Sequence, residues 1–332
     1  MAYSLGIAFL LVASAAWGEA AARWQDSSPH QSQFVPVAPD VELEVLDWGG
    51  TGRPVLLLAG FGNTAHVFDN FAPRLRALGC RVLGVTRRGF GMSSHPESGY
   101  ALQRLSADVL AVLDGLRIES AILIGHSIAG LEMSLLAAQH PGRIGGVVYL
   151  DAADPNFLER LREPGARGRL PELPFPSPAA RDRNGFRELQ DWWRRQCGIL
   201  LPEAELRNSY QEEPAGRVGA WRGAPNVWEE LSASQFDADV HSFRAPVLAL
   251  FAVPRTAADV EPWVRPYLQN HRDTLETSYE FARKERELVQ GQFFSARPNR
   301  QVVELPGANH YVFLSHPDDV LREIRRFLAR LR

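Results

Sequence analysis

Lysine and surplus positive charge are what this sequence most conspicuously lacks. Lys284 is the only lysine among 332 residues, and the formal net charge is −3 at neutral pH. Proteins that bind nucleic acid usually carry a basic patch or an excess of positive charge. The composition therefore favours no nucleic-acid partner, and the preference for arginine over lysine is interpreted as a bias of composition.

Cysteine is equally scarce, with only Cys80 and Cys197 in the whole chain. Their surroundings, "LGCRV" and "RQCGI", show neither a redox motif nor the spacing of metal ligands. An oxidising compartment would permit one disulfide between them. Two separate buried thiols fit the sequence as well, and both alternatives stay open at this point.

Long apolar runs are missing too, including at the N-terminus. The stretch "MAYSLGIAFLLVASAAWGEAAARW" has about a dozen apolar residues followed by small ones, which is too short for a membrane-spanning helix but typical of a signal peptide. No Lys or Arg precedes the apolar residues. We interpret residues 1–20 as a signal peptide and predict export to the periplasm or beyond, with no stable membrane span in the mature chain. An uncleaved anchor or an ordinary buried helix is the alternative.

What the sequence does contain is a series of short, continuously apolar runs, most of which end near glycine. Such runs are typical of strands buried on both faces of a parallel sheet. They lie at 53–60, 80–86, 121–125, 145–151, 245–253 and 300–305. Residues 41–48 alternate loosely before Gly49-Gly50, which predicts an edge hairpin.

Amphipathic patterns between these runs predict helices at 66–79, 106–117, 129–141 and 317–331. Alternating strands and helices indicate an α/β protein with a doubly wound, mostly parallel sheet. From about 155 to 242 no buried-strand run occurs, and the patterns are helical. We therefore predict a core formed by residues 34–154 and 243–331, with a helical lid inserted at 155–242. Residues 259–297 also look mostly helical.

The motif with the clearest chemical meaning is "AILIGHSIAGLEM", at residues 121–133. It places Ser127 between an apolar strand and a helix, as in the G-x-S-x-G nucleophile elbow, where a tight turn exposes the serine hydroxyl above the sheet. Ala129 occupies the last glycine position of that motif, and Gly130 follows it. A serine that merely caps the helix is the alternative.

A nucleophilic serine needs a base to take its proton. His310, in "VVELPGANHYVFLSHPDDV", follows a strand and precedes the last helix, which puts it at the same sheet edge as Ser127. His316 starts that helix and is interpreted as structural. We expect His126 to point away from the nucleophile's face. Five other histidines lie where the sequence suggests no partner: His66, His95, His140, His241 and His271.

Four segments in the same order resemble the α/β-hydrolase fold superfamily, over nearly all of residues 34–331. They are the oxyanion segment "LLLAGFGNTAHVFD", the segment "TRRGFGMSSHP", the elbow "GHSIAG" and the histidine loop "PGANHYVFLSHP". Ala59 stands where the family usually has histidine, and Thr86 where it usually has aspartate. The resemblance implies an oxyanion hole formed by the backbone N–H groups of Phe61 and Ile128.

A catalytic triad also needs an acid that orients His310, and the sequence leaves two aspartates as alternatives for this role. The usual family position, just after the strand "PVLALFA", holds no acid, and Asp259 comes about four residues later. Asp151, at the end of the strand "VVYLD", is the alternative and the one that we favour. Asp154, before Pro155, is interpreted as a capping residue.

The resulting prediction is a serine hydrolase that cleaves a carboxylic ester or a small amide or lactone, without metal or organic cofactor. The resemblance implies that haloalkane dehalogenases and epoxide hydrolases carry aspartate at the elbow, which disfavours both activities here. A carbon–carbon bond hydrolase, a proline-type aminopeptidase and a non-catalytic ligand-binding protein of the same fold remain alternatives. The sequence predicts neither the substrate nor the oligomeric state.

Overall fold

The computed structural model describes residues 24–162, 176–236, 238, 244–253, 255–256, 262–267 and 299–331, and single residues between 276 and 289. The predicted signal peptide, Asp259 and most of 259–297 lie outside the described residues. The described strands are β1 (Gln31–Ala38), β2 (Val41–Gly49), β3 (Pro54–Leu58), β4 (Arg81–Val85), β5 (Ala121–His126), β6 (Ile144–Leu150), β7 (Tyr210–Glu213), β8 (Arg217–Trp221), β9 (Val247–Val253) and β10 (Arg300–Pro306).

Eight of these strands form one sheet in the order β1-β2-β4-β3-β5-β6-β9-β10. β1 and β2 form an antiparallel hairpin at one edge, and β2 pairs antiparallel with β4. Every other pairing in the sheet is parallel. All six residues of β5 are buried, as expected for a central strand covered on both faces. The predicted mostly parallel α/β sheet and its edge hairpin are confirmed.

The described α-helices alternate with the strands along much of the chain. They are α1 (Ala72–Arg76), α2 (Leu102–Gly115), α3 (Ala129–Gln139), α4 (Phe157–Arg162), α5 (Phe186–Cys197), α6 (Glu203–Ser209), α7 (Val227–Ala233), α8 (Val312–Ser315) and α9 (Pro317–Arg330). Two apolar clusters fill the faces of the sheet, one on the side of α9 and α5, the other on the side of α2 and α3.

Two helix predictions need correction. The single helix predicted at 66–79 is a short 3-10 helix, Ala65–Phe68, followed by α1. Pro73 explains the break, because proline has no N–H to donate and is tolerated only in the first turn of a helix. The helix predicted from Ser106 begins at Leu102, so Ser106 lies inside α2 and does not cap it.

The segment between β6 and β9 packs against the core. α5 and the chain that follows it bury Phe186, Leu189, Trp192 and Leu201 in the same cluster as Leu57 of β3. The described part of 155–242 is mostly helical but includes an antiparallel hairpin formed by β7 and β8. The hairpin is a feature that the sequence did not indicate, because strands of four and five residues are too short to show a clear alternation in sequence.

Both cysteines are buried within the cluster that includes α5 and α9, and no disulfide joins them. Of the two alternatives from the sequence, the structure has the pair of separate thiols. Among the residues described, no helix combines the length and the apolar character needed to cross a bilayer.

Candidate active site

Ser127 occupies the sharp turn between the end of β5 and the start of α3. Its φ of +54° lies in the left-handed region, which is unusual for any residue other than glycine and typical of a strained functional turn. Gly130 explains why small residues follow. A Cβ at this position would lie only 2.0 Å from the Ala153 carbonyl oxygen of the neighbouring loop. The glycine is needed one residue later than the usual motif has it, which accounts for Ala129.

His310 and Asp151 lie side by side at the same edge of the sheet. Asp151 directly follows β6 and has a φ of +46°. One of its carboxylate oxygens lies 2.7 Å from His310 Nδ1, and the other accepts the Ala252 N–H at 3.0 Å. The donor of this second bond is the penultimate residue of the adjacent strand β9, and the bond fixes the orientation of the carboxylate. The structure thus brings together the favoured acid and the predicted histidine.

Ser127, Asp151 and His310 all line one cavity of about 360 Å³. Most of its wall is apolar and aromatic. The lining residues are Phe61, Ser127, Ile128, Asp151, Ala152, Ala153, Asp154, Phe157, Arg160, Trp228, Phe251, Val289 and His310. A small, largely apolar pocket with a few convergent polar groups is the usual form of a small-molecule site.

The two predicted oxyanion residues lie at this cavity as well. Phe61 follows β3, and its ring packs edge-to-face on Phe90 and Trp228. Within the described residues, the backbone N–H groups of Phe61 and Ile128 pair with no protein acceptor. A Cβ on Gly60 would approach the Ser127 Cβ to 3.2 Å, so glycine lets this loop pass next to the serine turn.

The loop after β3 is held in place by residues of the segment "TRRGFGMSSHP", at 86–96. The Arg87 guanidinium donates to the Ala59 carbonyl at 3.1 Å and forms a two-pronged buried pair with Glu132. Thr86, which replaces the usual aspartate, accepts the Ala65 N–H and donates to Glu44. Both residues therefore position backbone near the site and do not enter the cavity themselves.

Asp154 and Arg160 form the polar part of the cavity wall. Asp154 accepts the Asn156 N–H at 2.9 Å, as expected of a capping residue at the start of α4. It also pairs with the Arg160 guanidinium through both carboxylate oxygens. Because the two charges offset each other, this wall presents no net charge to a bound molecule.

His126 lies behind the site, outside the cavity lining. Its ring packs on the His310 ring, with centroids 4.5 Å apart, and its Nε2 lies 3.2 Å from the His310 carbonyl oxygen. Complete burial and the neighbouring His310 hold the pKa of His126 well below the ordinary value of 6.5. The orientation agrees with the sequence expectation, but the contact with His310 was not anticipated.

A second group that the sequence did not indicate is Glu205, on α6. This fully buried carboxylate accepts hydrogen bonds from Asn63 Nδ2 at 2.8 Å, from the Thr64 N–H and hydroxyl, and from the Ser209 hydroxyl. Tyr311, next to His310, donates to Asn63 Oδ1. Burial raises the pKa of Glu205, although these hydrogen bonds oppose the shift. The inserted segment is thereby tied to the loop that carries Phe61.

A sheet of this topology, with a serine turn after its central strand and a histidine–aspartate pair at the same edge, defines the α/β-hydrolase class of protein. The family model agrees. The chain belongs to the alpha/beta hydrolase family, whose model matches residues 55–323.

Individual curated relatives are more distant. The chain is 24% identical over 280 residues to 2-(acetamidomethylene)succinate hydrolase from Mesorhizobium japonicum, covering 84% of this chain and 89% of the relative. It is 34% identical over 176 residues to epoxide hydrolase A from Mycobacterium tuberculosis, covering 50% and 54% of the two chains. A third relative, a non-heme chloroperoxidase from Streptomyces lividans, is 35% identical over 120 residues, with coverage of 36% and 44%. The chain thus spans less than half the length of several curated relatives that it matches.

Solved structures agree on the fold. The crystal structure of E-2-(acetamidomethylene)succinate hydrolase superposes with a TM-score of 0.60 at 20% identity, over 90% of this chain and 99% of that one. Epoxide hydrolase VrEH1 from Vigna radiata gives a TM-score of 0.61 at 17% identity, with coverage of 92% and 100%. At these identities the similarity establishes the architecture alone.

Proposed function

We propose that this protein is a serine hydrolase that cleaves carboxylic esters, small amides or lactones through an acyl-enzyme. The observation that carries the proposal is that Ser127, His310 and Asp151 share one cavity, with the imidazole and carboxylate in direct contact. Similarity over 84% of this chain to a hydrolase that is named for an acetamido compound supports the same reaction class.

Asp151 has two roles in this proposal. Its contact with His310 Nδ1 holds the proton on that nitrogen, which leaves Nε2 free to act as base. The carboxylate then stabilises the imidazolium that forms during the reaction. The bond from Ala252 keeps the carboxylate in place while the histidine changes charge.

The reaction follows from these positions. Ser127 Oγ attacks the substrate carbonyl carbon as His310 Nε2 takes the serine proton, and a tetrahedral oxyanion forms. His310 then gives the proton to the leaving alcohol or amine, whose bond to the carbonyl carbon breaks. Water repeats the sequence against the acyl-enzyme, which releases the acid and restores the serine hydroxyl.

The oxyanion would be stabilised by the backbone N–H groups of Phe61 and Ile128. Both are donors at the cavity without a protein acceptor in the described part of the chain. Such preorganised donors are often the largest contribution to rate in acyl transfer.

The cavity also restricts the substrate. Its aromatic wall and the neutralised Asp154–Arg160 pair favour an uncharged acyl or aryl group that fits within about 360 Å³. The sequence similarity to epoxide hydrolase A extends over half of the chain. Among proteins that this chain resembles, epoxide hydrolases have an aspartate nucleophile at the elbow. This chain has Ser127 there, which disfavours epoxide hydrolysis.

A fluorophosphonate probe tests the proposal directly. It should label the purified protein at Ser127, and labelling should disappear in Ser127→Ala. Ser120→Ala is the matched control, since Ser120 is exposed and lies just before β5. Turnover of p-nitrophenyl acetate should follow the same pattern. A folded protein that shows neither labelling nor turnover would contradict the proposal and favour the non-catalytic ligand-binding alternative.

We also propose that residues 1–20 direct export and are removed. Support comes from the short apolar run and the small residues after it. Sequencing the N-terminus of protein recovered outside the cytoplasm should give a start shortly after residue 20. Recovery of the intact Met1 terminus from the cytoplasm alone would contradict export.

A further inference from the structure

We propose that Asp26, His30, His66 and Asp69 form a metal site for a divalent transition ion, with Zn²⁺ as the best match. We call these four residues the His–Asp cluster. Each offers one ligand atom, and these atoms all lie within 4.8 Å of one another. The cluster contains none of the residues that line the catalytic cavity.

Two distant parts of the chain supply the cluster. Asp26 and His30 lie four residues apart, just before β1. His66 is in the 3-10 helix Ala65–Phe68, and Asp69 is the residue after it. A bound ion would therefore fasten the N-terminal segment to the chain that follows the loop carrying Phe61.

The contacts between histidine nitrogens and carboxylate oxygens are close to the ligand spacing of a tetrahedral site. His30 Nε2 lies 3.1 Å from an Asp26 oxygen and 3.5 Å from an Asp69 oxygen. His66 Nδ1 lies 3.3 Å and 3.0 Å from oxygens of the same two carboxylates. Ligands at roughly 2.0–2.1 Å from a tetrahedral Zn²⁺ are separated from one another by roughly 3.3–3.4 Å. These four contacts, which involve both oxygens of Asp69, are close to that spacing.

The charge of the cluster also calls for a cation. Asp26 and Asp69 bring two carboxylates together, and Glu44 lies beside them with an oxygen 3.6 Å from His66 Nε2. Among the ion pairs of the described residues, no Lys or Arg reaches any of these three acids. The Asp69 side chain is only 4% exposed. A divalent ion would offset this buried negative charge with both imidazoles neutral, whereas without an ion the imidazoles themselves must carry the compensating charge.

One buried oxygen points independently to a ligand. Asp69 Oδ1 has no hydrogen-bond partner among the described residues. Buried carboxylate oxygens are normally hydrogen-bonded or bound to a metal. Oδ1 lies 3.5 Å from His30 Nε2, which is close to the spacing expected for two ligands of one ion.

Glu44 completes the arrangement from outside. With His66 Nδ1 on the ion, Nε2–H points toward Glu44, whose other oxygen accepts the Thr86 hydroxyl at 2.8 Å. Carboxylates placed behind metal-bound histidines fix the ring orientation and strengthen the ligand. Two imidazole nitrogens with two carboxylates suit Zn²⁺ and disfavour Ca²⁺ and Mg²⁺, which prefer oxygen ligands.

Metal content and thermal stability test the site. Protein purified without a histidine tag should contain about one zinc per chain by elemental analysis. Adding Zn²⁺ to chelator-treated protein should raise the Tm by about 5 °C or more. Co²⁺ in place of Zn²⁺ should give the visible absorption bands of a tetrahedral site.

His30→Gln removes one ligand from the N-terminal segment, and His140→Gln is the control because His140 is exposed and outside the cluster. We expect His30→Gln to lose the zinc and the Tm response, and His140→Gln to keep both. Fluorophosphonate labelling of Ser127 reports whether each variant is folded. The site is disproved if Zn²⁺ leaves the Tm of the wild type unchanged, if only Ca²⁺ stabilises it, or if His30→Gln binds zinc as tightly as the wild type.

Discussion

Two histidine–carboxylate pairs in this molecule have nearly the same local geometry and different surroundings. His310 Nδ1 lies 2.7 Å from Asp151, and His66 Nδ1 lies 3.0 Å from Asp69. The His310 side chain is 41% exposed and borders a cavity that it shares with a serine. His66 is 6% exposed and faces a second aspartate and a second imidazole. The pair alone therefore does not define the chemistry, and our two proposals rest on the groups around it: a serine near His310, and a second aspartate and imidazole near His66.

The strongest way to separate the two pairs is to neutralise each acid in turn. Asp151→Asn should lower kcat/KM for an activated ester by roughly 10³–10⁴-fold, because the amide favours the wrong tautomer of His310. Steady-state kinetics on the zinc-loaded protein give the measurement. Asp259→Asn is the control and should retain activity within about threefold. Full activity in Asp151→Asn beside an inactive Asp259→Asn would transfer the role of the acid to Asp259.

Asp69→Asn should lower stability and leave catalysis almost unchanged. Losing a charged ligand should reduce the free energy of unfolding by about 2–4 kcal/mol in zinc-containing buffer, while kcat/KM stays nearly unchanged. Urea denaturation with and without chelator measures this. The difference from wild type should shrink when the chelator is present, and a difference that is the same in both buffers would argue against a bound ion.

His126 belongs neither to the catalytic cavity nor to the His–Asp cluster, and its burial should make the stability of the protein depend on pH. Its folded-state pKa is lowered by burial and by His310, so below pH 6.5 the unfolded chain binds a proton that the folded chain refuses. Stability should be complete above pH 6.5 and fall as the pH drops below it, by at most about 1.4 kcal/mol per pH unit. Urea denaturation from pH 5 to 8 gives the free energy of unfolding at each pH. Below pH 6.5 this energy should fall less steeply with decreasing pH for His126→Gln than for wild type or His140→Gln. Parallel curves would contradict this.

The smallest expected effect is that of metal removal on catalysis. Chelator treatment should change kcat/KM by less than about twofold, since the cluster shares no residue with the catalytic cavity. Rates measured before and after chelation, well below the lowered Tm, test this. A loss of activity that Zn²⁺ restores would show that the ion also positions the loop carrying Phe61.

The predictable parts of the site are the residues whose position follows from the sequence pattern next to them. Ser127 and His310 follow apolar strands, and parallel strands bring their carboxyl ends to one edge, so proximity follows from topology. The choice between Asp151 and Asp259 was not decidable, because strand order and loop path determine which carboxylate reaches the histidine. The structure describes only Asp151 and has it in contact with His310.

Groups joined across long stretches of chain were missed for the same reason. Glu205 lies in a polar helical stretch that looks exposed, and only packing of α6 on the core buries it. The expectation that His66 has no partner is wrong. Asp69 at three residues' distance was a visible signal, but Asp26 and His30 approach it only through the fold.

The main-chain bond from the Ala153 N–H to the Ser127 carbonyl, at 2.8 Å, has a practical consequence for protein engineering. It couples the turn that bears Ser127 to the loop that bears Asp151 without using any side chain. Side-chain exchanges at 153 or 157, which line the cavity, therefore leave this bond in place, provided that proline is kept out of position 153. Ala152 is buried in the apolar core, so larger side chains there would be destabilising. Insertions or deletions within 151–154 would shift this register and should be left out of any library.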